Sequence, residues 1–372
     1  MQLTIAQILP ALESGGVERG TLEIAEAIVR NGHRSIVISA GGRLVPRLVD
    51  AGSEHIQLPV GRKSVSVLLY IRRLARLLES EHIDILHARS RLPAWIAWLA
   101  LQSLPEKKRP LFITTVHGQY SVNRYSKIML YGDVIIATSQ YIHDYIRENY
   151  PDTDMGRVHV IYRGVSRRDF PCRYTPPATW LNEWRRQHPA LKDCFIVTLA
   201  ARLTRLKGHE DFINIIKQVH SRGVPVHGLI VGGVYKSKRS YRQELLQRVK
   251  DNGLQDTVSF LGQRDDLREI MAVSDVVVSL SKSPEAFGRT VLESLSLGTP
   301  VVAYHHGGVA EILTGIFPAG SIAPFDTDAC VEKLLEFHRH PPVVPDHNPF
   351  TLEAMQENTI SLYETRARDA GH

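Results

Sequence analysis

The sequence predicts an α/β protein with two doubly wound parallel sheets, each in its own domain. Short runs rich in β-branched residues alternate with amphipathic stretches along the whole chain. This alternation is typical of βαβ units whose sheet is covered on both faces. The length of 372 residues exceeds the roughly 250–300 residues that one hydrophobic core usually supports. A proline-rich break separates the two halves.

The first predicted domain covers residues 1–170. Its expected strands lie at residues 3–9, 35–39, 83–87, 112–116, 134–138 and 158–162. Its expected helices lie at residues 18–30, 65–79, 92–104 and 140–150. Asn31-Gly32 is a natural stop for the first helix, because glycine accepts the left-handed conformation that commonly follows a helix end.

Residues 171–190 interrupt the alternation with Pro171, Pro176, Pro177 and Pro189. Proline breaks helices and sheet ladders, so we expect a linker there, with neither a long strand nor an uninterrupted helix.

The second predicted domain covers residues 191–350. Its expected strands are 195–199, 226–231, 258–261, 276–280 and 300–304, and its expected helices are 209–221, 241–251, 266–273, 288–297 and 330–338. A last helix, 351–366, is expected to pack back on the first domain.

Composition favours a folded cytoplasmic protein. Hydrophobic residues make up 43% and charged residues 23% of the chain, close to globular averages. Cys172, Cys194 and Cys330 are far apart and odd in number, which argues against a disulfide framework or a Cys-rich zinc site. The start of the chain lacks the pattern of a signal peptide. The longest apolar run, residues 92–101, is far shorter than the ~20 residues of a membrane span.

The net charge of +6 belongs entirely to the first half of the chain. Residues 1–170 carry 22 basic and 16 acidic side chains, whereas residues 171–372 carry 23 of each. The candidate carriers are Arg62, Lys63, Arg72, Arg73, Arg76, Lys107, Lys108 and Arg109. No aromatic residues are interleaved with dense basic clusters, so we expect no nucleic-acid partner.

Residues 72, 73 and 76 share one face of a predicted amphipathic helix. Two interpretations stay open: an ordinary surface helix, or a surface that rests on the anionic inner face of the cytoplasmic membrane.

A glycine pair follows the first predicted strand, in Ser14-Gly15-Gly16-Val17-Glu18. Glycine lets backbone N–H groups approach an anion closely, and a helix N-terminus adds partial positive charge. The spacing differs from Gly-x-Gly-x-x-Gly, so it does not support a dinucleotide cofactor. The turn is either purely structural or a phosphate contact.

Cations follow the first strand of the second domain. Arg202 and Lys207 come after residues 195–199. Ligands of open α/β sheets bind at the carboxyl ends of strands, where a guanidinium fork and an ammonium group suit a diphosphate. A solvated basic loop is the alternative.

Two glutamates come after the strand at residues 276–280. Glu285 lies in the following loop and Glu293 lies eight residues on, on a related face of the next helix. Together they could hold hydroxyl groups at two points along one ligand. Gly298-Thr299-Pro300-Val301-Val302 completes a strand, loop, helix and strand frame.

This frame, together with Arg202, Lys207 and the Gly15-Gly16 turn, resembles the retaining GT-B glycosyltransferases of family 4, also called glycosyl transferases group 1. The resemblance covers essentially the whole chain. It implies two Rossmann-like domains that face a central cleft, the first binding the acceptor and the second binding the nucleotide-sugar donor.

The resemblance also implies roles for individual residues. Arg202 and Lys207, with Gly16, would contact the donor diphosphate. His117, at a strand end, and Glu285 would be catalytic and lie beside the transferred sugar. The remaining expected contacts are the backbone of Ala286, Phe287 and Gly288 with the sugar and phosphate, Glu293 with the ribose, and Gly262, Gln263 and Arg264 with the base. Arg163, where asparagine is common, and Ala201, where glycine is usual, depart from the family pattern.

The activity implied is transfer with retention from a UDP- or GDP-linked sugar to a saccharide or lipid-linked saccharide acceptor, in bacterial lipopolysaccharide or other cell-surface polysaccharide synthesis. The nucleotide sugar is a co-substrate, and no resident cofactor is expected. We expect no catalytic metal: Asp152-Thr153-Asp154 and Asp326-Thr327-Asp328 match the Asp-x-Asp pattern of another glycosyltransferase architecture but follow no convincing strand.

Two other classes of function remain open on the sequence. A nucleotide-sugar epimerase or a phosphorylase can have the same two-domain architecture. A non-catalytic nucleic-acid binder is prompted by the sequence pI of 9.2 but lacks the basic platform such a protein uses.

Overall fold

The computed structural model describes residues 2–13, 15–61, 67–234 and 239–371. The chain forms two compact units. Residues 1–164 and 352–372 make up the first, and residues 165–351 make up the second. Each unit is built around one parallel sheet.

The first sheet has seven strands within the described residues, and all its pairings are parallel. In chain order they are Thr4–Ile8 (β1), Arg34–Ser39 (β2), Glu54–Gln57 (β3), Ile85–Ala88 (β4), Leu111–Val116 (β5), Val134–Ala137 (β6) and Val158–Val160 (β7). The spatial order is β3-β2-β1-β4-β5-β6-β7. The sheet therefore grows in one direction from β1 to β3 and in the other from β4 to β7.

Helices connect these strands, as parallel pairing requires. They are Gly16–Arg30 (α1), Val45–Asp50 (α2), Val67–Ser80 (α3), Arg91–Gln102 (α4) and Gln140–Asn149 (α5). The boundaries have local causes. The side chain of Ser139 accepts a hydrogen bond from the Ile142 amide and caps α5, while Asn31 and Gly32, with a φ of 79°, follow the end of α1.

The second sheet has six described strands, again all parallel. They are Phe195–Ala200 (β8), Val226–Val231 (β9), Val258–Gly262 (β10), Val276–Ser279 (β11), Val301–Tyr304 (β12) and Ser321–Ile322 (β13). The order is β10-β9-β8-β11-β12-β13. The helices are Ala178–Gln187 (α6), His209–Ser221 (α7), Arg239–Asp251 (α8), Leu267–Ala272 (α9), Arg289–Leu297 (α10), Gly307–Ile316 (α11) and Thr327–Arg339 (α12). The predicted fold class of two parallel α/β sheets is confirmed.

Residues 171–190, which we expected to be a linker, are part of the second unit. They contain α6, a ten-residue helix that begins just after Pro177 and ends before Pro189. Proline is tolerated at a helix start, so the prolines limit this helix without excluding it. Trp184 of α6 is buried in a core cluster with Leu229 and Ile270 and stacks on Trp180 at a centroid distance of 5.0 Å. The passage into the second unit is at residue 165.

Several elements carry too weak a sequence pattern to have been predicted. β3 is polar, with the sequence Glu-His-Ile-Gln, and lies at the sheet edge. β13 has two residues, and α2 has six. The helix α11 begins with two glycines, which are poor helix formers. The predicted helix at residues 65–79 corresponds to α3, and its predicted start at residue 65, like the cations Arg62 and Lys63, lies outside the described residues.

The helix α3 buries Leu74 and Leu78 and exposes Arg72, Arg73 and Arg76, as its amphipathic pattern predicts. Leu68 and Leu69, at its start, are 70% and 64% exposed. Among the described residues, no helix combines the length and the apolar character that crossing a membrane requires.

The final helix, Leu352–Asp369 (α13), belongs to the first unit. Met355, Ile360 and Tyr363 of α13 share a core cluster with Ile28 of α1 and Ile113 of β5. Tyr363 is fully buried, and its hydroxyl lies 2.6 Å from Nδ1 of His87, whose Nε2 lies 2.6 Å from the Thr115 hydroxyl. One hydrogen-bond chain thus joins α13 to two neighbouring strands.

Tyr363→Phe should lower the free energy of unfolding by about 1–3 kcal/mol, because it leaves Nδ1 of buried His87 without its partner. Urea denaturation followed by circular dichroism measures the change. Tyr131→Phe, at a tyrosine that is 38% exposed, is the matched control and should be close to neutral. Equal stability of the two variants would show that the hydroxyl of Tyr363 contributes nothing to the packing of α13.

Candidate active site

The second sheet has a topological switch point between β8 and β11. These strands are neighbours, yet from β8 the chain continues to β9 on one side, and from β11 to β12 on the other. The chain therefore leaves β8 and β11 in opposite directions along the sheet, at its carboxyl edge. In open α/β sheets, this is where ligands bind.

The loop after β8 is held by a close approach to the end of β11. Gly208 has a φ of 72°, and a Cβ atom there would lie 2.1 Å from the carbonyl oxygen of Leu280. The Lys282 amide also donates to the carbonyl of Leu206 at 2.7 Å. Only glycine allows both this backbone conformation and this approach. The two loops are thus tied together just where Lys207 lies.

Lys207, Ser281 and Glu285 form one hydrogen-bonded group at this switch point. The Lys207 ammonium donates to Oε1 of Glu285 at 2.7 Å and to the Ser281 hydroxyl at 3.3 Å. The Ser281 hydroxyl donates to the same carboxylate oxygen at 2.5 Å. Both charged side chains remain about a quarter exposed, at 26% and 27%. The group is fixed in position but open to a ligand.

The pKa of Glu285 lies below its ordinary value. Burial acts to raise it, but the charge and hydrogen bond of Lys207 and the hydrogen bond of Ser281 outweigh burial. Burial lowers the pKa of His306, against the opposing effects of Ser281 and Glu285. Glu285 is therefore anionic at neutral pH.

The loop at residues 285–288 is packed tightly against the start of α11. The amide of Gly308 donates to the carbonyl of Glu285 at 2.8 Å. A Cβ atom on Gly308 would lie 2.4 Å from Cα of Phe287, and one on Gly307 would lie 2.5 Å from the carbonyl oxygen of Glu285. Gly288, with a φ of 102°, is the N-cap of α10. The predicted backbone positions Ala286, Phe287 and Gly288 are thus rigidly held.

Two other residues expected to bind the sugar donor, Glu293 and Arg202, differ in how exposed their side chains are. Glu293 is 5% exposed and pairs with Arg289, one helical turn earlier, at 2.9 Å. Arg202 lies on the same loop as Lys207, and its side chain is exposed.

The predicted base-contacting turn follows β10. Gly262 has a φ of 68°, which suits a glycine-dependent turn. Arg264 binds Asp266 through two hydrogen bonds of 2.8 and 2.7 Å, and the Trp180 indole donates to Asp266 at 2.8 Å. A Cβ atom on Gly233 would lie 2.9 Å from Oε1 of Gln263, so Gln263 packs against that glycine. The cation of Arg264 is therefore already engaged in holding the turn.

In the first unit, Gly15 and Gly16 form the entry to α1. Gly15 is the N-cap, with a φ of 151°, and a Cβ atom there would lie 2.5 Å from the Glu18 carboxylate. A Cβ atom on Gly16 would meet no described atom within 4 Å, and Gly16 has no positive φ. The fold therefore needs glycine at position 15 but has no steric need for it at position 16.

His117 directly follows β5. Its Nδ1 accepts a hydrogen bond of 2.8 Å from Nη2 of Arg163, and its Nε2 is buried without a hydrogen-bond partner among the described residues. Burial, Arg163, Arg89 and His87, in that order, hold the pKa of His117 well below its ordinary value. The imidazole is therefore neutral at physiological pH.

A buried cation beside His117 was missed at the sequence level. Arg89, just after β4, is 2% exposed. Its Nη1 donates to Oε1 of Gln7 at 2.8 Å, and the Gln7 amide donates to the carbonyl of Thr21 at 3.0 Å. Burial lowers the pKa of Arg89, against the opposing charges of Tyr363 and Glu23. An arginine directly after an apolar strand was the signal that could have identified it.

The Asp-x-Asp triplet at 152–154 lies in a loop, whereas the triplet at 326–328 opens α12, with Thr327 and Asp328 in its first turn. Asp154 accepts a hydrogen bond from the Gly156 amide at 2.9 Å, and Asp152 lies 3.5 Å from the Lys127 ammonium. Asp326 caps α12 by accepting from the Ala329 amide at 2.8 Å.

Two family models match the chain. "Glycosyltransferase Family 4" matches residues 14–168, and "Glycosyl transferases group 1" matches residues 182–348. Together they span most of both units.

Curated relatives cover much of the chain at low identity. The N-acetyl-alpha-D-glucosaminyl L-malate synthase of Bacillus anthracis is 24% identical over 323 residues, which cover 82% of this chain and 79% of the relative. The lipopolysaccharide core biosynthesis mannosyltransferase LpsB of Rhizobium meliloti is 29% identical over 244 residues, which cover 64% and 63% of the two chains.

Solved structures agree in fold. A glycosyltransferase from Rickettsia africae superposes with a TM-score of 0.83 at 28% identity and covers 98% of both chains. Anabaena Alr3699/HepE, solved in complex with UDP and glucose, superposes with a TM-score of 0.81 at 20% identity over 98% of this chain and 100% of that one. With both family models matched and this fold, the chain belongs to the GT-B glycosyltransferases of family 4 and is a glycosyltransferase of the EC 2.4 class.

Proposed function

We propose that the protein transfers a sugar, with retention of configuration, from a nucleoside-diphosphate sugar to a saccharide or lipid-linked saccharide in bacterial cell-surface polysaccharide or lipopolysaccharide synthesis. The observation that carries the donor assignment is the Lys207, Ser281 and Glu285 group at the switch point of the second sheet. It combines a cation suited to a phosphate with an anionic carboxylate suited to sugar hydroxyls. A uridine diphosphate sugar is the first donor to test, since the Anabaena relative was solved with UDP and glucose.

On the donor side, the bond between the anomeric carbon and the diphosphate oxygen breaks, and negative charge grows on the departing diphosphate. Lys207 and Arg202 are the cations that would stabilise this charge. The N-terminus of α7, two residues after Lys207, adds the partial positive charge of a helix start. Glu293 would hold the ribose, and residues 262–264 would contact the base through their backbone.

At the sugar, positive charge develops on the anomeric carbon as the leaving group departs. Anionic Glu285 would bind sugar hydroxyls and bring negative charge near the ring. The acceptor hydroxyl forms the new bond on the face that the diphosphate leaves, and its proton passes to a leaving phosphate oxygen. Atoms and charges balance without a covalent enzyme intermediate.

The first unit would contribute Gly16 and His117. Gly15 and Gly16 are exposed at the start of α1, where backbone amides suit a phosphate oxygen, and a neutral imidazole at a strand end suits a sugar oxygen. The resemblance to LpsB, a lipopolysaccharide core biosynthesis mannosyltransferase, supports an acceptor of the cell-surface polysaccharide class.

Lys207→Met should lower kcat by about 10²–10³, because one preorganised cation at the leaving group is lost. Glu285→Gln, which keeps the shape of the side chain but not its charge, should have an effect of similar size. A thermal-shift screen of nucleotide sugars first identifies the donor, since a ligand of the native state raises its apparent stability. Turnover is then measured by nucleotide release and by product mass, with and without acceptor.

The matched control is Lys333→Met on α12, which removes a surface lysine that also pairs with a glutamate, Glu336, at 2.8 Å. It should leave kcat unchanged. Wild-type turnover by either site variant would remove that residue from the reaction. Conversion of the nucleotide sugar without acceptor would instead identify an epimerase, and a requirement for phosphate would identify a phosphorylase.

Gly16→Ala should raise the KM for the donor while leaving thermal stability equal or slightly higher. The added methyl group meets no described protein atom and favours the helix by up to ~1 kcal/mol, but it would stand between the helix amides and a phosphate. Parallel measurements of the melting temperature and the donor KM separate the two effects. An unchanged donor KM would exclude Gly16 from the phosphate site.

We also propose that α3 rests on anionic lipid, through Arg72, Arg73 and Arg76 with the exposed Leu68 and Leu69 beside them. Each basic side chain near such a surface contributes roughly 1 kcal/mol. The protein should therefore float with anionic vesicles at low salt, and reversal of the three arginines to glutamate should abolish flotation.

Neutral vesicles, and reversal of the exposed Arg185 and Lys192 in the second unit, serve as controls for this lipid contact. If the protein does not float with anionic vesicles in a salt-dependent way, the lipid contact of α3 is ruled out.

A further inference from the structure

Arg163 reaches two other elements of the first unit from its position after β7. Its Nη2 lies 2.8 Å from Nδ1 of His117, which follows β5. Its Nη1 lies against α1, where a Cβ atom on Gly20 would come within 1.9 Å of it. The guanidinium therefore lies between the imidazole ring and α1, at a position where α1 carries no side chain.

The contact determines which nitrogen of His117 carries the proton. A guanidinium has only donors, so Nδ1 must offer its lone pair. A neutral imidazole that accepts at Nδ1 carries its hydrogen at Nε2. That Nε2–H group is buried and donates to no described protein atom.

The lack of a side chain at Gly20 makes room for the guanidinium of Arg163. Glycine inside a helix costs about 0.5–1 kcal/mol relative to alanine, and Gly20 has no positive φ that would require glycine. The atoms nearest to its missing side chain are Nη1, Cζ and Nη2 of Arg163, at 1.9, 2.9 and 3.2 Å. The guanidinium of Arg163 is therefore the steric reason for glycine at this position.

The surroundings keep the ring neutral. The charged or titratable groups that act on it are Arg163, Arg89 and His87, which together with burial lower its pKa. The Tyr120 hydroxyl accepts from the His117 amide at 3.3 Å, and Arg91 lies over the Tyr120 ring at 4.7 Å. Among these contacts, the one from Arg163 is the hydrogen bond to the imidazole ring itself.

We infer that Arg163 is a positioning residue that holds His117 as a neutral Nε2–H donor, so that His117 hydrogen-bonds an acceptor oxygen of the substrate, a hydroxyl or phosphate oxygen, and does not abstract a proton. The inference rests on the proposed function, in which His117 contacts the substrate. It gives a role in the first unit to Arg163, which stands where asparagine is common in the family.

The direct test is ¹⁵N NMR of the histidine rings in the full chain. The protein contains 17 histidines, so the His117 signals are assigned by comparison with His117→Gln. We expect a neutral ring protonated at Nε2 in the wild type. In Arg163→Asn we expect mixed tautomers and a higher pKa, because a neighbouring cation is lost. Arg163→Lys, which keeps a charged donor, should largely retain the wild-type tautomer.

Kinetics supply a readout that a purely structural role would not move. Arg163→Asn should lower kcat about ten- to a hundredfold through misplacement of the ring, with a smaller change in KM. The acid limb of its pH profile should move to higher pH, because His117 now takes up a proton more readily as the pH falls. Arg167→Asn, at an exposed arginine four residues away, is the control and should be neutral.

Gly20→Ala tests the same contact without removing the charge. Its methyl group should displace the guanidinium and reproduce the tautomer change and the loss of kcat. In the Arg163→Asn background the same alanine should cost nothing further, since the group it displaces is gone.

Additive effects of the two substitutions, or a wild-type ring protonated at Nδ1, would overturn the inference. Full activity of His117→Gln would overturn the place of His117 in the reaction, while the NMR result would still report on the contact between Arg163 and His117.

Discussion

Parallel strand pairing is the constraint on which the rest of this structure depends. Every described pairing in both sheets is parallel, so each strand must be followed by a crossover and all carboxyl ends in a sheet lie at one edge. Residues far apart in sequence thereby become neighbours: Lys207 and Glu285, 78 positions apart, meet after β8 and β11. In the first unit the same rule gathers Arg89, His117 and Arg163 after β4, β5 and β7. The parallel topology alone therefore brings the candidate functional side chains of each unit to one edge of its sheet.

Close backbone approach is the second requirement, and glycine supplies it at defined points. Gly208 lets the loop after β8 touch Leu280, and Gly307 and Gly308 let α11 support the backbone at residues 285–287. Without these close backbone contacts, the Lys207 ammonium and the Glu285 carboxylate would lie on loops that are not held against their neighbours. With them, both side chains are held by backbone contacts while about a quarter of each remains accessible.

The sequence predicted the fold class well, because long amphipathic helices and apolar buried strands carry strong periodic signals. It missed β3, whose polar residues lack the alternation of a half-buried strand, and α11, whose two leading glycines disfavour a helix. It also treated the prolines of 171–190 as breakers, whereas they flank α6. Of the candidate site, Lys207 and Glu285 were identified from their positions after predicted strands, and the family resemblance assigned their roles. Ser281 and the Arg89–Gln7 pair were missed, because the bonds from Ser281 to Lys207 and from Arg89 to Gln7 join residues far apart in sequence; only the place of Arg89 after an apolar strand gave a local signal.

The helix α13 makes the first unit discontinuous in the chain. The segment 352–372, which contains α13, completes a core begun by residues 1–164, and the second unit lies between them in sequence. On the ribosome, therefore, all of the second unit is synthesised before the segment that supplies Tyr363 to the first. Domains generally fold as units during synthesis, so the second unit can finish folding while the first still exposes the apolar surface that α13 covers. A chain whose synthesis stops before α13 would therefore contain the whole second unit but a first unit that lacks part of its core.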